Sequence, residues 1–307
     1  MITAASTRTH EVYCRQGFHL HGSQRILDDT YAWWTKSLGV GRFPGLSPYD
    51  GAFRIDMASC GAECTANFGR VTQFILQDPE KALMVAFTNR VVNAHNRKLF
   101  EAHLAQLRLP TTCYLAADVL DDPHSGETEV TPELVPASER LSDFSLAVCK
   151  GSLVTCLRNL MPSIGLQNGA RIRVTKHSKY RIEGIVVQHP IHAGRKVSIP
   201  RIKMDGKLVH GVGFKRLQFP LTLGYCMTSN RVQGQTVAAL VLDVTEDSFA
   251  HGQLYTAMTR VRRPEHLLIF DETAQFRTTA VIYRELLSEV DSDFNKNEHD
   301  DVFELGL

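Results

Sequence analysis

A chain of 307 residues, 43% hydrophobic and 22% charged, is long enough for about two domains and a sizeable buried core. It has no window of about 18 uninterrupted apolar residues, which argues against a membrane-spanning helix, and its first stretch, MITAASTRTHEVYC, lacks the apolar core of a secretory signal. The formal net charge of +1 conceals a division: residues 285–307 hold eight acids and one lysine, a net −7, leaving +8 for the rest.

A basic body with an acidic tail suits a polyanionic partner. The tail itself reads as a frayed chain end or a self-screening segment. The cysteines, at 14, 60, 64, 113, 149, 156 and 226, are odd in number, and several lie in apolar settings. That pattern favours reduced thiols in an intracellular protein. Cys60 and Cys64 have the spacing of half a metal site, but no second Cys or His pair completes it, so no metal is expected.

Along the chain, residues 1–70 carry little pattern. Trp33, Trp34 and Leu38 fit one face of a short helix, which the glycines from Gly39 to Gly45 end. ALMVAFTN (82–89) reads as a buried strand. The following residues to 107 read as a helix, with Val92, Leu99, Phe100, Leu104 and Leu107 at helical spacing. Thr88 and Asn89 fall at this junction, where side-chain oxygens and helix N–H groups can hold a phosphate or simply cap the helix. TTCYLAADVL (111–120) is another strand, and the proline-bearing stretch 121–142 a loop.

The texture then changes to short strands, SLVTCLRN, ARIRVTK, RIEGIVVQ and RKVSIPRI, with a hairpin signal at Asn168-Gly169. They suggest a barrel or sandwich of roughly 60 residues. Its basic side chains, among them Lys176, Lys179, Arg181, Arg195 and Lys203, suit a phosphodiester backbone or serve to protect exposed sheet edges. His189, His192 and His210 read as loop residues rather than ligands. From 219 the α/β texture returns. FPLTLGYCMT is a strand, SNRVQGQT a turn with a short helix, AALVLDV a strand, SFAHGQLYTAMTRV a helix and HLLIF the last strand. In a parallel layout, polar residues at strand ends face the ligand crevice.

MTSNRVQGQT (227–236) and HGQLYTAMTRVRRPEHLLIF (251–270) resemble the paired C-terminal motifs of the petite-integration-frequency (Pif-type) ATP-dependent DNA helicases. The Helitron transposon helicases share that family, and RecD-like helicases are more distant relatives. The family pattern runs near M-T-I-N-K-S-Q-G-Q-T and H-G-Q-L-Y-V-A-L-S-R-V; Ser229, Arg231, Val232 and Thr259 are among the departures. Further blocks, YLAADVLDD, the run from Thr131 to Val174 and AGRKVSIPRI, extend the resemblance over about residues 80–270 in the family's order.

The resemblance implies an α/β fold: a RecA-like parallel-sheet motor domain with an inserted small Src-homology-3-like β-barrel. It divides the chain into a remnant of the first motor domain (1–70), the second motor domain (71–160 and 218–284), the barrel (161–217) and the acidic tail (285–307). It implies duplex unwinding, 5′ to 3′ on single-stranded DNA, with ATP and Mg2+. Arg260 corresponds to the arginine finger on the γ-phosphate, for which the charged, rigid guanidinium fork is suited. Arg25, in LHGSQR, corresponds to a second γ-phosphate contact. Gln233, Gly234 and Gln235 correspond to the nucleotide-coupling motif, and Thr88, Asn89, Thr228 and Asn230 to DNA contacts. Repair, recombination and telomere roles, and a nuclear or mitochondrial setting, are family expectations only.

The sequence has no Gly-Lys-Ser/Thr phosphate loop, the element that would cradle the phosphates of ATP. The first motor domain is therefore expected to be largely missing. The reading is a C-terminal half, inactive alone. The alternative is a stand-alone nucleic-acid-binding module or a decayed transposon-helicase remnant.

Overall fold

The computed structural model describes residues 26–41, 52–121, 130, 135 and 141–283. Arg25 and the acidic tail lie outside the described residues. The longer helices are α1 (Asp29–Val40), α2 (Phe68–Gln77) and α3 (Asn89–Leu107), followed by the short α4 (Gln253–Met258). The first strands are β1 (Ala52–Asp56), β2 (Glu63–Thr65), β3 (Ala82–Ala86), β4 (Thr112–Leu115), β5 (Ala117–Leu120), β6 (Ser145–Val148) and β7 (Leu153–Cys156). Next come β8 (Arg171–His177), β9 (Arg181–Val187), β10 (Lys196–Pro200), β11 (Ile202–Lys207) and β12 (Gly213–Gln218). The last are β13 (Leu221–Leu223), β14 (Cys226–Thr228), β15 (Ala239–Asp243), β16 (Leu267–Phe270) and β17 (Arg277–Val281).

The organising sheet is parallel, in the order β14-β3-β15-β16-β2. Its strands are continuous apolar runs because both faces are covered. Leu83, Val85, Leu240, Leu242, Leu267 and Ile269 enter one core with Tyr31, Trp34 and Leu38 of α1. Alternate residues Met84, Val241 and Leu268 enter the other, against Val71 and Ile75 of α2 and Leu99 and Phe100 of α3, as the two-residue period of a strand requires. The α/β expectation with a parallel sheet holds.

A second, antiparallel sheet, β10-β9-β8-β7-β13, has its own core around Ile172, Val174, Ile182, Val186 and Ile199. Beside it lies a three-stranded sheet, β11-β12-β5. These antiparallel strands take in residues on both sides of 161–217, since β5, β7 and β13 join them. Likewise Glu63–Thr65 pairs with β16 as the edge of the parallel sheet, and Ala52–Asp56 pairs with β17.

Several local expectations change. Trp33 is 54% exposed, while Tyr31, Trp34 and Leu38 are buried: adjacent helical residues point about 100° apart, so both tryptophans cannot face the core. The run 111–120 breaks at Ala116 into strands of different sheets, and 219–228 breaks at Gly224–Tyr225 in the same way. Residues 157–170, not a tight hairpin, connect β7 to β8. The helix expected over 248–261 shortens to α4, and β17 follows HLLIF.

One buried side chain joins the two sheets. Arg171 of β8 is 1% exposed. Its guanidinium donates to the carbonyls of Gly224 (2.9 Å), Glu80 (3.2 Å) and Pro79 (2.7 Å) and to Gln188 Oε1 (2.6 Å). Burial lowers its pKa to about 10. Asn96 of α3 plays a comparable part beside the parallel sheet. Its Oδ1 accepts from the N–H groups of Tyr225 (2.9 Å) and Cys226 (2.8 Å), and its Nδ2 donates to the Cys226 carbonyl (2.9 Å).

Candidate functional site

The candidate residues form two groups at opposite edges of the parallel sheet, joined by one loop. At the carboxyl edge, β3 and β14 run side by side with Thr228 opposite Ala86. Both strands therefore deliver their next residues to the same crevice, where α/β sheets hold ligands. Thr88 is extended (φ −118°, ψ 148°) and caps α3, with its side chain accepting from the Val91 N–H at 3.4 Å. Its hydroxyl also donates to Glu246 Oε2 at 2.7 Å, and Glu246 pairs with Arg90 as well. The capping role and a polar site at this edge thus coexist in one hydroxyl. Asn89, half-buried, opens α3 and lines a cleft beside it. Thr228 is buried, and Asn230 is exposed.

Ser229, between them, is 1% exposed, and its hydroxyl has no hydrogen-bond partner. The resembled family carries an aliphatic residue here, which leaves no hydroxyl to satisfy at so buried a position. Ser229→Ala is expected to stabilise the chain by about 1 kcal/mol, because an unsatisfied buried hydroxyl costs about 1–3 kcal/mol. Urea denaturation of the two proteins measures it; a lower midpoint for the alanine variant would contradict it.

From this edge the chain returns across the sheet in consecutive turns rather than the short helix expected. The N–H groups of Arg231 and Val232 bond to the Thr228 carbonyl, Gln233 N–H to Asn230 O, and Gln235 N–H to Val232 O. Val232 is fully buried and pins the loop to the core. Gly234 has φ +82°, with open space where a Cβ would stand, so its backbone conformation, not crowding, demands glycine. Gln233 and Gly234 are exposed. Gln235 Nε2 donates to Arg231 O (2.9 Å) and to Gly169 O of the antiparallel unit (3.4 Å).

The loop ends at the amino edge, where it meets Arg260. The Val237 N–H bonds to the Arg260 carbonyl at 3.0 Å. The Arg260 guanidinium, 7% exposed, donates to Gln235 O (3.2 Å), Thr256 O (2.6 Å) and Thr259 Oγ1 (2.8 Å). Thr259 keeps the hydroxyl that a serine would supply, and that hydroxyl holds the arginine fork. The structure thus brings Gln235 and Arg260 together, brings Thr88, Asn89 and Thr228 together elsewhere, and spans the interval with residues 229–235.

Some polar groups escaped the sequence reading. His95 Nε2 lies 2.6 Å from Asp243 Oδ2 in the core, its ring stacked on Phe68. Glu246, Arg171 and Asn96 were equally silent. The only signal was a polar residue on an otherwise apolar face, which does not say what it will bind. Cys60 is buried, which pushes its thiol up to about 11, and burial, with the Asp243 carboxylate nearby, raises Cys226 well above the usual thiol range. Among the described residues, no group of three His, Cys, Asp or Glu side chains is placed to hold a metal ion.

No family model matches the chain. Its sequence is 32% identical over 131 residues to the ATP-dependent DNA helicase PIF6 of Trypanosoma brucei brucei, covering 41% of this chain and 16% of that protein. It is 22% identical over 201 residues to the ATP-dependent DNA helicase Pif1 of Campylobacter jejuni, covering 63% and 42%. The crystal structure of Pif1 helicase from Candida albicans is similar in fold, with a TM-score of 0.56 at 19% identity over 88% of this chain and 58% of that one. So is a Bacteroides Pif1 helicase in complex with ADP-AlF3 and single-stranded DNA, with a TM-score of 0.54 at 18% identity over 94% and 59%. The chain spans less than half of these curated relatives and little more than half of these solved structures. The resemblance to Pif-type helicases read from the motifs holds in both sequence and fold.

Proposed function

We propose that the chain is the C-terminal half of an ATP-dependent DNA helicase that moves 5′ to 3′, supplying the arginine finger Arg260 and part of the single-stranded DNA track. Thr88, Asn89, Thr228 and Asn230 contact the DNA strand. Gln233, Gly234 and Gln235 face the nucleotide. The supporting observation is the loop 229–235, which starts at the crevice of Thr88 and Thr228 and ends hydrogen-bonded to the Arg260 guanidinium through Gln235 O. A change at one edge can therefore be felt at the other through a single pinned segment.

ATP supplies the phosphoryl group whose transfer drives unwinding, and Mg2+ neutralises its charge. The residues here fit one contact to a terminal phosphate, a guanidinium fork whose fixed charge suits an anion. They do not fit a complete nucleotide site, because the phosphate loop is not in this sequence. What this chain's residues do is orient the finger, through Thr259 and Thr256, and hold the strand's backbone. The partner that completes the motor is a first motor domain carrying the phosphate loop.

Alone, the chain is expected to bind single-stranded DNA with log K falling linearly against log salt, and to turn over no ATP. Joined in frame to a motor domain with a phosphate loop, it is expected to show DNA-stimulated ATP hydrolysis. Fluorescence anisotropy and a phosphate-release assay measure the two. Absence of binding at low salt would sink the reading.

A further inference from the structure

We propose that the cleft between α3 and the segment 141–145 extends the nucleic-acid track, holding the phosphodiester backbone of a single strand against Asn93, Arg97 and Arg231. The inference rests on the reading of the chain as part of a DNA motor and adds residues to it. The cleft encloses about 480 Å³, within the range of ligand sites. Asn89, Asn93 and Arg97 line one wall. They stand four residues apart on α3, so they form one stripe along the helix. Arg231 reaches the cleft from the loop that begins at Thr228. Asn89 belongs to both places, so the cleft is continuous with the crevice at the carboxyl edge.

The opposite wall is built, not incidental. Arg216 is buried, and its guanidinium donates to both oxygens of Asp118 and, at 2.9 Å, to the Ser142 carbonyl. The Phe144 and Phe214 rings lie 5.6 and 5.4 Å from its centre. Asp118 neutralises this arginine, which therefore shapes the wall without adding net charge. Asp143 stands at the rim. Desolvation by the protein packed around it raises its carboxyl above the usual range, against the pull of Arg97, Arg216 and Arg231. Arg97 and Arg231 are the cations of the cleft that act on Asp143 from the helix and loop side.

The shape selects the ligand class. The polar groups are strung along a helix rather than converged on one point, and Arg97 is exposed at the far end. A linear polyanion fits that layout better than a compact free nucleotide. Asp143, among the cations, would repel a phosphate and so tune how tightly the strand is held.

The test is anisotropy of a fluorescein-labelled single-stranded oligothymidylate with the full chain. Arg97→Glu is expected to weaken binding about tenfold at low salt and to make the log–log salt slope shallower by about one. Asp143→Asn, on the same cleft, is expected to tighten binding about threefold, since one phosphate-repelling charge is removed. Circular dichroism melts unchanged from wild type would show that both variants fold. If wild type binds and neither variant differs from it, this inference fails while the DNA-motor reading stands. If wild type does not bind at low salt, both fall. Altered binding of a fluorescent ATP analogue with unaltered DNA binding would assign the cleft to a nucleotide and overturn the proposal.

Discussion

Arg260→Ala is expected to lower ATP turnover by about 10³–10⁵-fold, the range an arginine finger supplies, in a polypeptide that joins this chain to a phosphate-loop motor domain. Single-stranded DNA affinity is expected to stay within about threefold of wild type, because buried Val232 and the bond from the Val237 N–H to the backbone carbonyl of residue 260, both kept in the variant, still pin the loop. The local structure sharpens the test. The guanidinium is held by Thr256 O at 2.6 Å, Thr259 Oγ1 at 2.8 Å and Gln235 O at 3.2 Å. The bond to Gln235 is the longest of the three, hence the weakest, and it is the one that a γ-phosphate would replace. Engaging phosphate would then release the end of loop 229–235, which is the step that couples nucleotide to DNA in the proposed motor. Arg260→Lys keeps the charge and loses the fork. If the residue is a finger, lysine also fails in turnover while DNA binding and melting temperature hold. If it only secures the loop, turnover, DNA affinity and melting temperature fall together in the alanine variant. Unchanged turnover in Arg260→Ala would refute the assignment.

The motif pairs were legible because they carry chemistry in short contiguous spans: QGQT in 233–236 and TRV in 259–261 are recognisable without knowing what they touch. β3, β15 and β16 were legible for a different reason, since fully buried parallel strands are written as unbroken apolar runs. Their neighbours were not. Ala52–Asp56 and β17 pair with each other across the chain, so neither has a local pattern that reveals a partner over two hundred residues away. Glu63–Thr65 is short and exposed on its outer side, too brief for alternation to declare itself. The two trails of ten residues read as single strands, 111–120 and 219–228, each change sheets midway. A change of hydrogen-bonding partner leaves hydrophobicity untouched, so only Gly224 marked one of them. The separation of Arg260 from the crevice of Thr88 and Thr228 was equally invisible, because it depends on which way each strand runs.

The second large effect concerns Arg171. Arg171→Ala is expected to destabilise the chain by about 3–5 kcal/mol, the cost of stripping partners from a buried charged network. Its guanidinium is surrounded by the carbonyls of Pro79, Glu80 and Gly224 and by Gln188 Oε1. Pro79 and Glu80 lead into β3, and Gly224 leads into β14, so one side chain of the antiparallel unit grips the amino ends of two adjacent strands of the parallel sheet. Gln188 strengthens the same junction by donating to the Lys81 carbonyl. Arg171→Met fills much of the volume but donates nothing. The difference between the Met and Ala variants then isolates the cavity, and what Met still loses is the hydrogen bonding. Calorimetry should resolve the Met variant into separate transitions for the parallel and antiparallel units, where wild type is expected to unfold in one. A single transition within about 1 kcal/mol of wild type would show that the units are held by other contacts. The consequence reaches the site: Gly169, which meets Gln235 Nε2, lies on the connection leading directly into Arg171. Loosening the grip is expected to shift the loop between the Thr228 crevice and Arg260, so Arg171→Met should lower DNA-stimulated ATP turnover in the proposed joined motor at temperatures where it remains folded.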